Sequence, residues 1–107
     1  MYCIVDVIYG SPITQEIIDE LAKLALEPAD VGYEMLYSGG GDTPPGYVGE
    51  CLDTFDEATD MALPVSSLMM RPDTAQITRA NRKFKELPRE IRKMAKPLDV
   101  YFVFYTS

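Results

Sequence analysis

The longest helical pattern in the chain, residues 73–96, is the feature that most constrains the fold. Its apolar residues recur at steps of three and four, so they form one stripe along a helix: Ile77, Ala80, Phe84, Leu87, Ile91 and Met94. An Asp73-Thr74-Ala75-Gln76 capping box marks the start of this helix. Pro88 interrupts the pattern without changing its phase, which predicts a kink or a tight break between two near-collinear helices.

Shorter apolar runs before and after this helix predict four strands, at residues 2–9, 31–38, 47–55 and 100–105. A first helix is predicted from a Ser11-Pro12 start to about Leu26, with its apolar positions facing inward: Ile13, Ile17, Leu21 and Leu24. Gly49, in the third strand, indicates a bulge or a close approach of two backbones. Asp6 lies in an apolar run, so its carboxylate must reach solvent or hydrogen-bond donors.

The order of these elements is strand, helix, strand, strand, helix, strand, which is the ferredoxin-like βαββαβ pattern. We therefore expect one α+β domain, residues 1–107, in which a four-stranded antiparallel sheet carries two main helices on one face. The acidic first helix would lie beside the basic second helix, and part of their charge would cancel. Residues 39–46 would form a hairpin loop and 56–63 a short helix, and 63–71 would form a lid over the sheet, a short strand or an exposed interaction patch.

The chain contains no histidine, which excludes Ser-His-Asp and Cys-His catalysis and histidine metal ligands. Cys3 and Cys51 lack CxxC spacing and lie in apolar segments, so we expect two buried, reduced thiols. No catalytic residue, metal site or cofactor is predicted. The N-terminus has no basic leader, and no apolar run approaches the ~18 residues of a membrane span, which predicts a cytoplasmic protein.

Charge is distributed unevenly along the chain, whose net charge is −7. Residues 1–70 hold thirteen acidic residues and one basic residue, whereas residues 71–107 hold nine basic and four acidic residues. Our leading hypothesis is a small non-enzymatic protein-binding module, such as an inhibitor, immunity protein or phage-type modulator, that docks on a basic surface of its target. The predicted contact residues are Asp42, Tyr47, Glu50, Asp53, Asp56, Glu57 and Asp60. Glu16, Asp19 and Glu20 would extend the same negatively charged face.

Two alternatives come from other features of the sequence. The basic helix offers cations that could bind nucleic-acid phosphates, and these are Arg79, Arg82, Lys83, Arg89 and Lys93. The negative charge of the rest of the chain disfavours a nucleic-acid partner. A small ligand or an enzymatic reaction on the open sheet face is the other alternative, with Asp6, Tyr9, Tyr101 or Tyr105 taking part. A homodimer through a sheet edge or through that open face would compete with the second alternative.

Overall fold

A three-stranded antiparallel sheet with helices on one face forms the fold. The computed structural model describes residues 3–34, 46–56 and 70–106. Their elements are β1 (Cys3–Pro12), α1 (Gln15–Lys23), a 3₁₀ turn (Pro28–Val31), β2 (Tyr47–Asp56), α2 (Thr74–Lys85), α3 (Arg89–Met94) and β3 (Asp99–Thr106). The strand order is β2-β1-β3, with β1 antiparallel to both neighbours. The α+β prediction is confirmed, but the four-stranded ferredoxin-like sheet is wrong, because the described residues contain three strands.

The missing fourth strand was expected at residues 31–38. Instead, Pro28–Val31 is a 3₁₀ turn, and Gly32 follows it in the left-handed region with φ 103°. The backbone N–H of Glu27 donates to the Asp30 carboxylate at 2.8 Å, so local side-chain bonds favour a turn over an extended strand. Within the described residues only Glu34 pairs here, in an isolated bridge with Tyr47. Residues 35–45 and 57–69 lie outside the described part of the chain. The second half of the predicted fourth strand, nearly all of the predicted hairpin loop and short helix, and most of residues 63–71 fall there.

β1 is longer than predicted and occupies the centre of the sheet. It continues through Ser11 and Pro12, which we expected to start the first helix. Thr14 caps that helix instead, accepting a hydrogen bond from Ile17 N at 3.3 Å. Ser11 is fully buried, and its hydroxyl donates to the carbonyl of Lys96 at 2.6 Å. The hydroxyl that resembled a helix cap therefore joins the end of β1 to the segment that follows α3.

The C-terminal end of α1 turns the chain sharply and exposes a leucine. Leu26 N donates to Leu21 O at 2.9 Å and Ala25 N donates to Ala22 O at 3.1 Å, the two bonds of a Schellman motif. Ala25 takes the left-handed conformation with φ 57°, a position that usually holds glycine. Because of this turn Leu26 packs against the core. Leu24 is 47% exposed, so the prediction that it faces inward is wrong.

The helical layer packs on one face of the sheet. α2 lies across β2 and β1, and α1 packs against α3. As predicted, the basic helix begins with an Asp73/Gln76 capping box and breaks at Pro88, with α2 ending at Lys85 and α3 beginning at Arg89. The core between the helices and the sheet is apolar except for one tyrosine: Ile13, Ile17, Leu21, Tyr33, Val48, Leu87 and Ile91. Burial of such a stripe is what holds helices this short in place.

Two facing glycines bring β1 and β2 unusually close. Gly10 pairs with Gly49, and a Cβ at Gly49 would lie 2.2 Å from the carbonyl oxygen of Tyr9. The close approach predicted at Gly49 is confirmed. Three residues further on, Leu52 is the extra residue of a bulge, since Val7 pairs with Asp53 and Ile8 with Cys51. The bulge changes which face the rest of β2 presents to the helices.

The sheet register assigns side chains to two faces. Val48 and Glu50 lie on the helix-bearing face, which carries the core cluster and α2. The opposite face carries Ile8 together with Tyr47 and Tyr101, whose ring centroids are 5.5 Å apart. Because β1 lies between their strands, the two rings meet above Gly10 and Gly49, where no side chain blocks them.

Candidate protein-binding surface

The predicted contact residues do not form one exposed surface in the described part of the chain. Asp42, Glu57 and Asp60 lie outside the described residues, and the side chain of Asp56 at the end of β2 is also not described. Tyr47, expected as an exposed aromatic anchor, is only 5% exposed. Asp53 is exposed, and its carboxylate accepts a hydrogen bond from Thr54 N at 2.8 Å. Glu50 has a different role.

Glu50 connects β2 to the basic helix. Its Oε1 lies 2.7 Å from Arg79 Nε and its Oε2 lies 3.6 Å from Lys83 Nζ. Lys83 also donates to the carbonyl of Gly49 at 3.0 Å. The Glu50 side chain is 16% exposed, so it is largely enclosed by this contact. A residue predicted for the protein-binding surface and two predicted for the nucleic-acid surface therefore bind each other.

The exposed negative charge lies on α1 and the 3₁₀ turn that follows it. Residues 15–34 contain six acidic residues and one basic residue. We call these carboxylates the acidic surface: Glu16, Asp19, Glu20, Glu27, Asp30 and Glu34. Glu20 is half-buried and the other five are exposed. Within the described residues only Glu20 is near a cation, at 3.7 Å from Lys23, whose side chain is 75% exposed.

We expected the basic helix to cancel part of the charge of the acidic surface, but the described residues show no such pairing. α1 packs against α3, but no ion pair joins the acidic surface to α2 or α3 among the residues that the structure describes. The described cations of the basic helix that form ion pairs, Arg79 and Lys83, lie on α2 and bind Glu50 on β2. Sequence reasoning included the first half of the acidic surface but not Glu27, Asp30 or Glu34. The signal that marks them is the near absence of lysine and arginine over residues 15–34.

The remaining cations of the predicted nucleic-acid site are exposed. Arg82 lies on α2, and Arg89 and Lys93 lie on α3, all three exposed to solvent. With Lys85, which is also exposed, we call these residues the basic surface. A shallow groove of ≈ 550 Å³ runs beside Arg82, and its lining is Thr78, Asn81, Arg82, Lys85 and Glu86. Three of the five predicted cations are therefore available to a ligand, and two are bound to Glu50.

The residues of the small-ligand hypothesis lie on two faces of the sheet. Tyr9 pairs with Glu50 on the helix-bearing face, whereas Asp6 and Tyr101 lie on the opposite face. Asp6 is 6% exposed and accepts a hydrogen bond from the Thr54 hydroxyl at 2.7 Å, so its carboxylate has the donor that the sequence required. The side chain of Tyr105 is not described. No surface of the described chain brings these groups together.

Cys51 differs from its predicted environment, because it is a free and exposed cysteine rather than a buried one. Partial desolvation of the sulfur raises its pKa above the ordinary value, and the nearby Asp6 and Asp53 charges raise it further, while hydrogen bonding with the Thr54 hydroxyl and with the Asp53 backbone opposes the shift. A raised pKa keeps the thiol protonated near neutral pH, and the thiolate is the nucleophilic form. Cys51 is therefore not an activated nucleophile. The side chain of Cys3 is not described.

Searches for related proteins and for other site types add no assignment. No family model, no curated protein and no solved structure matches the chain. Across residues 3–34, 46–56 and 70–106, no three Cys, Asp or Glu side chains are arranged to hold a metal ion. None of the described helices has the length and apolar character needed to cross a membrane. The site with the most distinctive geometry is the pair of separated acidic and basic surfaces.

Proposed function

We propose that this protein is a small non-enzymatic binding module that docks on a basic surface of a target protein. The observation that carries the proposal is the unneutralised acidic surface on α1 and the 3₁₀ turn, beside a basic helix whose inward cations are bound to Glu50. Carboxylates at Glu16, Asp19 and Glu20 are spaced so that they share one side of α1. The cytoplasmic location predicted from the sequence belongs to the same proposal.

The physical basis of the proposal is electrostatic steering followed by apolar contact. Exposed charges of one sign attract a basic partner at distances near the Debye length of ~10 Å and mainly raise the association rate. Leu24 lies within the acidic surface along the chain, between Glu20 and Glu27, and exposes its side chain. Protein interfaces commonly have an apolar core and a polar rim, which an exposed leucine flanked in sequence by carboxylates can supply. Leu24 supplies the contact that salt does not screen.

A capture experiment followed by binding kinetics tests the proposal. Immobilised protein is used to capture partners from a cell lysate, and a captured protein is purified for measurement of association and dissociation rates. The variant Glu16→Gln/Asp19→Asn removes two charges from the acidic surface. Its matched control, Glu86→Gln/Glu90→Gln, removes two exposed acidic charges, one from the C-cap of α2 and one from α3. We expect the first variant to slow association by about tenfold, near the low end of the range for steering, and the control to change it little.

The outcome that contradicts this proposal is equal behaviour of the two variants. If both pairs of substitutions leave the association rate unchanged at low and high salt, the acidic surface has no part in docking. Leu24→Ala addresses the apolar contact separately. We expect it to raise the dissociation rate while the salt dependence stays the same, because it removes contact area and no charge.

A second candidate function is nucleic-acid binding by the basic surface. Its support is the exposure of Arg82, Arg89 and Lys93, which are spread over two consecutive helices and are not paired with Glu50. Against it stands the net charge of −7, which repels a polyanion. Fluorescence anisotropy with single- and double-stranded oligonucleotides at low salt separates the candidates. Binding that disappears in Arg82→Gln/Arg89→Gln/Lys93→Gln favours this function, and absence of binding removes it.

A further inference from the structure

The two edge strands of the sheet differ in how they are protected against pairing with another strand. An edge strand presents unpaired N–H and C=O groups, and natural sheets block such edges with bulges, charges or covering segments. β2 has several of these devices. Leu52 forms a bulge, Glu50 and Asp53 carry charge, and Glu34 pairs with its first residue, Tyr47. An incoming strand would meet an irregular and negative edge on this side.

In the described part of the chain β3 has no bulge and no covering helix, and its charged residue, Asp99, is at its first position, where the carboxylate accepts a hydrogen bond from Val100 N at 2.8 Å. It pairs with β1 in an unbroken register of eight residues, from Cys3 opposite Thr106 to Gly10 opposite Asp99. Residues 100–105 contain no charged residue, no proline and no glycine. Among the described elements β3 packs extensively only against β1. Its outer edge is therefore straight, uncharged over residues 100–105 and not covered by α1, α2 or α3.

Side chains near the middle of β3 are also incompletely buried. Val100 and Phe102 lie on the helix-bearing face and Tyr101 on the opposite face, and all three are half-buried. Val103, by contrast, is almost fully buried. Aromatic and β-branched side chains make the most favourable cross-strand pairs, so a neighbouring strand of the same composition would complete their burial.

We propose that the protein forms a homodimer in which the β3 strands of two copies pair antiparallel to each other. The product is a continuous six-stranded sheet with a two-fold axis perpendicular to it, so that the helices of both copies lie on the same side. In this arrangement a residue at the axis, such as Phe102 or Val103, faces its own copy, and residues opposite each other share a face. This inference is independent of the proposed function, because it uses the edge furthest in the sheet from β2.

A second copy fits this edge because antiparallel pairing keeps the charged ends of the two β3 strands apart. Each copy carries a net charge of −7, so two copies associate only through a surface that keeps their charges apart. The charged residue within β3 is Asp99, at the beginning of the strand. Antiparallel pairing centred on Phe102 or Val103 separates the two Asp99 residues by about 20 Å or more along the strand direction. This separation exceeds the Debye length of ~10 Å, so their repulsion is screened.

Sedimentation velocity over a wide range of protein concentration tests the dimer. We expect the mass to rise from the 12.0 kDa of one chain to twice that value as concentration increases. Phe102→Lys places a charge at the centre of the pairing and should weaken dimerisation by at least about tenfold. Phe55→Lys is the matched control, since Phe55 is a half-buried phenylalanine on the helix-bearing face of the other edge strand, β2. We expect the control to dimerise like the unmodified protein.

Hydrogen exchange provides a readout that does not depend on how well the variants fold. In the unmodified protein, the amide groups on the outer edge of β3 should exchange more slowly at high protein concentration, while those of β2 should not change with concentration. A protein that stays monomeric at every concentration overturns the proposal. So does a dimer in which β3 gains no protection, or one that Phe55→Lys disrupts and Phe102→Lys does not, because each outcome places the contact elsewhere.

Discussion

At the scale of single residues, Tyr33 is the group whose environment is least favourable. Its ring belongs to the core and is 2% exposed, yet its hydroxyl has no hydrogen-bond partner among the residues that the structure describes. A buried hydroxyl without a partner loses its hydration and gains nothing in exchange. We expect Tyr33→Phe to raise the free energy of unfolding by roughly 1 kcal/mol. Urea denaturation measures this change, and a loss of stability of the same size would show that the hydroxyl forms a bond in solution.

The same residue predicts how stability falls at high pH. Burial raises the pKa of Tyr33 from 10.0 to about 12 in the folded protein. As the pH rises, the unfolded chain loses the Tyr33 proton before the folded protein does. The contribution of the protonated Tyr33 hydroxyl to the free energy of unfolding is therefore fully present below pH 10.0 and is lost as the pH rises to about 12. Each unit of the pKa difference corresponds to ~1.4 kcal/mol, so the loss amounts to about 2–3 kcal/mol. Thermal unfolding across this pH interval should show a smaller decrease for Tyr33→Phe than for the unmodified protein.

At the scale of elements, the end of α1 depends on a strained residue. Ala25 occupies the left-handed position of the Schellman motif with φ 57°, where glycine has no steric penalty. We expect Ala25→Gly to stabilise the protein by about 1 kcal/mol, because the penalty for a non-glycine residue in this region is about 1–2 kcal/mol. Ala22→Gly, inside α1, is the control and should destabilise by about 1 kcal/mol. Midpoints of chemical denaturation that move in the same direction would contradict this account.

The contact between β1 and β2 leads to a prediction of opposite sign. A Cβ at Gly49 would lie 2.2 Å from Tyr9 O and 2.5 Å from Gly10 Cα, and both neighbours are backbone atoms that cannot rotate away. We expect Gly49→Ala to destabilise by about 3 kcal/mol or more, because the two strands must separate. Gly32→Ala measures the cost of a positive φ without a steric clash, since Gly32 has φ 103° but no atom lies within 4 Å of the added methyl group. Calorimetry of both variants compares the effects, and equal losses would exclude the steric explanation.

Sequence patterns predicted the elements whose signals are local. Residues 73–96 specified their own capping box and their own break at Pro88, and three of the four predicted strands are present. At the start of the fourth, bonds made by Glu27 and Asp30 select a turn over Pro28–Val31, and residues 35–38 lie outside the described part of the chain. Leu24 was misplaced because Ala25 gives no sequence signal for a left-handed residue. The candidate site depended on longer-range information. Alternation from Tyr47 would place Asp53 on the face of Cys51, and the bulge at Leu52 moves it to the other face.

At the scale of the whole molecule, Glu50 controls how much positive charge reaches the surface. It holds Arg79 and Lys83 against β2, so these cations are not added to those of the basic surface. Ion pairs that are half-exposed contribute little individually, and we expect Glu50→Gln to cost about 1 kcal/mol of stability. The released cations should also strengthen the weak attraction of oligonucleotides at low salt. Asp53→Asn is the control of equal charge, and equal oligonucleotide affinity in both variants would contradict a specific role of Glu50.

The central position of β1 has a consequence for the order in which the chain folds. β1 pairs with β3 across nearly the full length of the described chain, and the Ser11 hydrogen bond to Lys96 connects residues that are 85 positions apart. The helices can form early from local interactions, whereas this pairing requires a large loop to close first. Proteins dominated by such distant pairings fold in roughly milliseconds to seconds rather than microseconds. We therefore expect closure of β1 with β3 to set the folding rate, and until it occurs both long edges of β3 are open to other chains.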